Sequence, residues 1–185
     1  MKITFSKKEI KNITENTICW IVAFTMFSYG VGKIVQFSNA IEVKKTLPEL
    51  TGMELMWAFY GYSLPFALTI GFLEILGAVL IFFKKTKIIG CLLTSIILVN
   101  IILQDIFFNI NKGALITAII LQLFILIILW MDKTKILIAF KTITRHNKTK
   151  QDLKKRVVTF TITFIAFVTL LFLQHHLISF ISHSI

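Results

Sequence analysis

Long apolar windows alternate with short polar segments along the whole chain. The windows fall at 17–37, 60–83, 88–108, 113–131 and 157–182, and each is 19 to 26 residues long. A helix of that length crosses a hydrocarbon layer about 30 Å thick at about 1.5 Å per residue. Closed barrels are the other spanning architecture, and their strands alternate apolar and polar over about ten residues. Here Ile119-Ile120-Leu121 and Ile125 to Leu129 are continuous apolar runs. The pattern predicts an all-α membrane protein with five transmembrane helices.

Two connecting segments have a pattern of their own. Residues 38–59 place Leu47, Leu50, Met53, Met56 and Trp57 at the spacing of one helical face, which predicts a short helix at the membrane interface. In residues 133–156, Ile136, Leu137, Ile138, Phe140 and Ile143 lie among lysines, the composition of an arm that rests on anionic lipid. The first window is too long for a signal-peptide core and lacks a small-x-small cleavage site, so the first span is expected to stay in the mature protein.

Composition sharpens the class. The hydrophobic set makes up 56% of the chain and charged residues 16%, against about 25% charged in soluble domains. The mean hydropathy is +0.83. A net charge of +11 would suit a nucleic-acid partner on a soluble face. Here the cations occupy the segments between apolar runs, so the expected partner is the lipid bilayer and no nucleic acid. Sixteen of the twenty Lys/Arg fall in residues 1–16, 84–87 and 132–156, which share one side of an alternating path. The opposite side holds Lys44, Lys45 and Lys112. Cations concentrate on the cytoplasmic face, so this asymmetry predicts a multi-pass protein of the cytoplasmic (inner) membrane with its N-terminus cytoplasmic and its C-terminus outside. Trp20 and Trp130 near inner ends, and Trp57, Tyr60 and Tyr62 near an outer one, agree with that path.

Charges within the apolar windows need an explanation, because each costs about 2.5–3.5 kcal/mol at mid-helix. Three qualify: Lys33, Glu74 and Asp105. From the inner ends of their spans, Lys33 stands roughly 24 Å up, Asp105 roughly 25 Å and Glu74 roughly 13 Å. Lys33 and Asp105 are therefore level and able to pair, whereas Glu74 needs helix tilt or a bent lysine stem to reach Lys33. Gln122 lies at the level of Glu74, and Asn100 somewhat higher. Tyr29, Lys33 and Gln36 fall on one stripe of the first helix. Ala67, Gly71, Glu74 and Ala78 form a stripe of small residues around the carboxylate, which would bury it against a neighbouring helix. Asn100 and Gln104 share a face of the third span. The candidate polar pocket is thus Tyr29, Lys33, Glu74, Asn100, Gln104, Asp105 and Gln122. In one reading Glu74 carries a proton or touches a ligand; in the other these groups fix helix register through buried hydrogen bonds.

No catalytic residue, metal ligand set or cofactor motif is evident. Cys19 and Cys91 lie far apart in sequence near the cytoplasmic ends of their spans, which excludes a CxxC pair. His175 and His176 are adjacent and about 100° apart on a helix, so one face cannot present both. Nucleophile-elbow, phosphate-loop and dinucleotide fingerprints are missing.

Ser28-Tyr29-Gly30-Val31-Gly32-Lys33 resembles the G-x-x-K-type signature of DoxX-like membrane proteins, and Gly71-Phe72-Leu73-Glu74-Ile75-Leu76-Gly77 with Lys84-Lys85 resembles that family's second-helix motif. The resemblance implies a four-helix transmembrane bundle over 1–131 with a short cytoplasmic N-terminus. A basic cytoplasmic arm (132–156) and one additional C-terminal transmembrane helix (157–185) are departures from it. It also implies association with membrane redox systems, a membrane or soluble oxidoreductase partner, and quinone as the cofactor to be considered, with Lys33 and Glu74 as the residues that matter. The expected function is an accessory or quinone-associated subunit of a membrane redox system. The alternatives are a small transporter or permeation pathway, and a non-catalytic assembly or lipid-binding protein.

Overall fold

A computed structural model describes residues 4–37, 45–145 and 153–183, apart from the side chains of 179 and 181–183. The described residues form seven α-helices: α1 Lys7–Gln36, α2 Gly52–Tyr62, α3 Leu64–Phe82, α4 Lys87–Phe108, α5 Lys112–Met131, α6 Lys133–Ile143 and α7 Leu153–His183. Five of them, α1, α3, α4, α5 and α7, are long and apolar enough to cross a membrane.

Local chemistry moves several boundaries from where hydrophobicity alone puts them. The first helix begins ten residues before its apolar window, because Ser6 and Glu9 form a reciprocal capping box. The window from residue 60 is split at Ser63, where α2 ends and α3 starts with Pro65 in its first turn. Asn109 closes α4 in the left-handed conformation (φ 48°), and the Asn111 side chain accepts from the backbone N–H groups of Gly113 and Ala114 to start α5.

The chain divides into two compact units, Met1–Ile143 and Thr144–Ile185. In the first, α1 packs against α3 and α5, α3 against α4, and α4 against α5, so these four helices surround one apolar core. Val22, Met26, Leu98, Ile125 and Ile128 are wholly buried in it. Outward-facing positions stay apolar, for instance Phe24 at 74% and Phe107 at 78% exposure. A surface of that kind needs a hydrocarbon solvent. The second unit is α7, whose described side chains are exposed throughout.

The expected interfacial helix exists as α2, preceded by a short 3-10 turn at Leu47–Glu49. Its predicted apolar face is only partly right. Met56 is buried and Trp57 packed, whereas Leu47 and Met53 face outward. Residues 38–44 of that segment, and 146–152 of the basic arm, lie outside the described residues.

Candidate functional site

The site begins with a close crossing of α1 and α3. A Cβ at Gly30 would stand 2.5 Å from the Gly71 carbonyl oxygen, and one at Gly71 would stand 2.7 Å from the Gly30 carbonyl oxygen. Only glycine at both positions permits that approach. The crossing sets Gly30 and Gly71 level, so Lys33 and Glu74 are offset by six residues along antiparallel helices, roughly 9 Å. The lysine stem bridges the gap by running over Gly71, where a Cβ would lie 3.1 Å and 3.3 Å from Lys33 Cβ and Cγ. Lys33 Nζ ends 3.5 Å from Glu74 Oε1. This corrects the depth argument: Lys33 pairs with Glu74, and Asp105 is not its partner.

Glu74 is completely buried and the Lys33 side chain is 13% exposed. Among the described residues, no donor within hydrogen-bonding geometry serves either carboxylate oxygen. The pair is therefore an ionic contact to a buried carboxylate, and removing one partner leaves the other charge uncompensated. The stripe of Ala67, Gly71, Glu74 and Ala78 is buried as the small residues require.

Aromatic rings cover the lysine. Lys33 Nζ lies 5.7 Å from the centroid of the Phe37 ring. Phe37 stacks on Tyr60 at 4.9 Å and meets Trp57 edge-on at 5.3 Å. The Tyr60 hydroxyl donates to Gln104 Oε1 (3.0 Å), and Gln104 Nε2 donates to Asn100 Oδ1 (2.6 Å). Burial pushes the Tyr60 phenol above its usual range; the bond to Gln104 opposes that shift and the nearby Glu74 carboxylate adds to it. Tyr60, Gln104 and Asn100 are thus continuous with the Lys33–Glu74 pair through α2. Phe37 and Trp57 belong to this site too, and neither is charged or polar in a span, so a search for intramembrane polar groups passes over them.

The other predicted members separate. Tyr29 and Gln36 face outward, because the buried stripe of α1 runs through Cys19, Val22, Met26 and Gly30 to Phe37, with Lys33 at its edge. Gln122 Nε2 donates to Ser95 Oγ (2.7 Å), tying α5 to α4. Asp105 is buried beside the α4–α5 turn. The Thr94 hydroxyl is buried against α3, filling the place that a side chain at Gly77 would occupy. Among the described residues no three His, Cys, Asp or Glu side chains are grouped to hold a metal ion.

A second ionic cluster, missed in the sequence, ties the far end of the same helices. Lys87, at the start of α4, pairs with Glu15 of α1 and with Asp132 Oδ2 at 2.5 Å. Asp132 also pairs with Lys135 at 2.8 Å. Burial, the largest single influence on Asp132, pushes its carboxyl upward. The bonds and charges of Lys135 and Lys87 together outweigh burial and leave the carboxyl below its ordinary range. These four residues sit at the ends of apolar windows, where charge ordinarily faces water, so no sequence signal separates them from solvated termini.

The chain is 36% identical over 138 residues to "Uncharacterized protein YwoB" of Bacillus subtilis (strain 168), a match covering 73% of this chain and 87% of that protein. No family model matches the chain, and no solved structure matches it.

Proposed function

The chain belongs to the YwoB family, and we propose that it works as an accessory, quinone-associated subunit of a membrane redox system, built as a DoxX-like four-helix core with a fifth helix added. Its place is the cytoplasmic membrane, with the N-terminus inside and the C-terminus outside, as the cation asymmetry favours. The observation that carries the reading is the wholly buried Glu74 carboxylate, held among the described residues by Lys33 alone, at 3.5 Å, between apolar helices. Intramembrane charges are expensive, and their usual return is function. Glu74 takes up or releases a proton as the ammonium moves. Lys33, partly open beneath Phe37, orients an anionic or carbonyl-bearing group such as a quinone oxygen.

The test is a strain whose quinone-linked respiration or oxidative-stress survival depends on the protein. Glu74→Gln and Lys33→Met are expected to lower both towards the level of the deletion. Wild-type respiration and survival in both variants would remove the proposal.

A second reading, a small permeation pathway, draws support from one observation. Buried ionic clusters, Lys33–Glu74 and Glu15–Lys87–Asp132, sit at two levels of the same helix pack. It predicts proton or solute flux in proteoliposomes holding this protein alone, where an accessory subunit gives none.

A further inference from the structure

A groove of 330 Å³ runs between α1 and α3 on the apolar surface, and neither Lys33 nor Glu74 lines it. Its floor is Ala23 and Ala78, at 7% and 3% exposure, and its walls include Trp20, Phe24 and Phe27 from α1 and Phe82 from α3. The walls stand 47–74% exposed, so the groove is open along its length to whatever surrounds the helices. Its volume falls at the lower end of the roughly 300–1,000 Å³ typical of ligand sites.

Charge at one end selects the occupant. Lys84 and Lys85 are exposed and follow Phe82 by two and three residues. No acidic residue occurs in 16–28 or 75–87, the stretches that frame the groove. The nearest acid before them, Glu15, is already engaged by Lys87. An aromatic-walled channel inside a membrane-spanning stretch, ending in two exposed cations that have no acidic partner among the described residues, matches a hydrocarbon chain with an anionic head.

We propose that this groove is a binding site for an anionic phospholipid, with one acyl chain lying over Ala23 and Ala78 and the headgroup phosphate held by Lys84 and Lys85. The site does not depend on the redox reading and stands or falls separately from it. Near a membrane surface each lysine is worth about fivefold in relative affinity for such a headgroup. Aromatic walls against a small-residue floor favour an ordered chain by dispersion contacts.

Trp20 lines the groove and reports on it directly. In the full chain carrying Trp57→Phe and Trp130→Phe, Trp20 is the remaining tryptophan. Reconstitution into phosphatidylcholine vesicles with a small fraction of lipid brominated on its acyl chains measures which lipid reaches it. Brominated phosphatidylglycerol is expected to quench Trp20 at mole fractions several-fold lower than brominated phosphatidylcholine. Lys84→Gln with Lys85→Gln should remove that preference without altering helix content. Ala78→Leu, which fills the floor, should raise the fraction of either lipid needed. Equal quenching by the two lipids, or a preference that survives loss of both lysines, overturns the proposal. The lysine variant decides the matter even if Ala78→Leu fails to fold.

Discussion

At Gly71 one missing methyl group does two jobs: it admits the Gly30 carbonyl and leaves a channel for the Lys33 stem. Alanine there is expected to force the helices apart and lower stability by about 1–3 kcal/mol, the usual cost of overpacking. Gly32, two residues beyond Gly30, meets nothing within 4 Å of where a Cβ would stand. Gly32→Ala should therefore be neutral or slightly stabilising, by up to about 1 kcal/mol through helix propensity. Thermal unfolding of the two variants in detergent checks the contrast, and equal midpoints would contradict the crossing geometry. The small-residue stripe around Glu74 was legible in the sequence, because Ala67, Gly71 and Ala78 recur at helical spacing. The partner of Glu74 was not. Depth counted along each helix carries no information about how far a lysine stem runs, and Lys33 reaches about one turn along the crossing towards Glu74.

Among the elements, α2 and the α4–α5–α6 end behave as two separate clasps. Glu54 caps α2 through Thr51 and pairs with Lys45 at 2.5 Å. The Lys45 bond, then the Thr51 backbone and side-chain bonds, bring its pKa down from 4.5 to about 2. A depressed folded pKa means the capping contribution is complete above pH 4.5 and disappears as pH falls towards 2. Trp57 lies on α2, so its fluorescence should change over that interval in wild type and lose the transition in Glu54→Gln. At the other clasp, Lys87 is 7% exposed and Lys135 is 67% exposed, though both touch Asp132. Lys87→Met takes the cation from Glu15 and leaves Asp132 only the exposed Lys135, and should cost about 3–5 kcal/mol, whereas Lys135→Met should cost about 0–1 kcal/mol. Denaturant titration in mixed micelles measures both, and similar losses would contradict the burial of Lys87. Helix α2 was anticipated from its apolar spacing, but which of those side chains pack was decided by its neighbours α3, α4 and Phe37 at the end of α1. A Cβ at Gly52 would fall 1.6 Å from the Phe108 carbonyl oxygen, so the start of α2 is fixed against the end of α4. That contact lies between residues 56 positions apart, beyond the reach of local pattern.

For the molecule as a whole, the five apolar windows read directly as five membrane-length helices, since a hydrocarbon layer demands a length that few soluble elements reach. The interior was less legible. Polar residues in the windows were placed by depth and by the face of their own helix, which brings Asn100 and Gln104 together, whereas contacts between helices are set by packing: Tyr60 with Gln104, Gln122 with Ser95, Lys33 with Glu74. Tyr29 went the other way because the buried face of α1 is shifted towards Met26 and Phe37. The most direct measurement of the central claim is a double-mutant cycle on stability with Lys33→Met, Glu74→Gln and the pair together. A buried ion pair predicts singles that each cost more than the double, with a coupling of about 2 kcal/mol or more. Additive losses, within about 0.5 kcal/mol, would mean that Lys33 and Glu74 act independently.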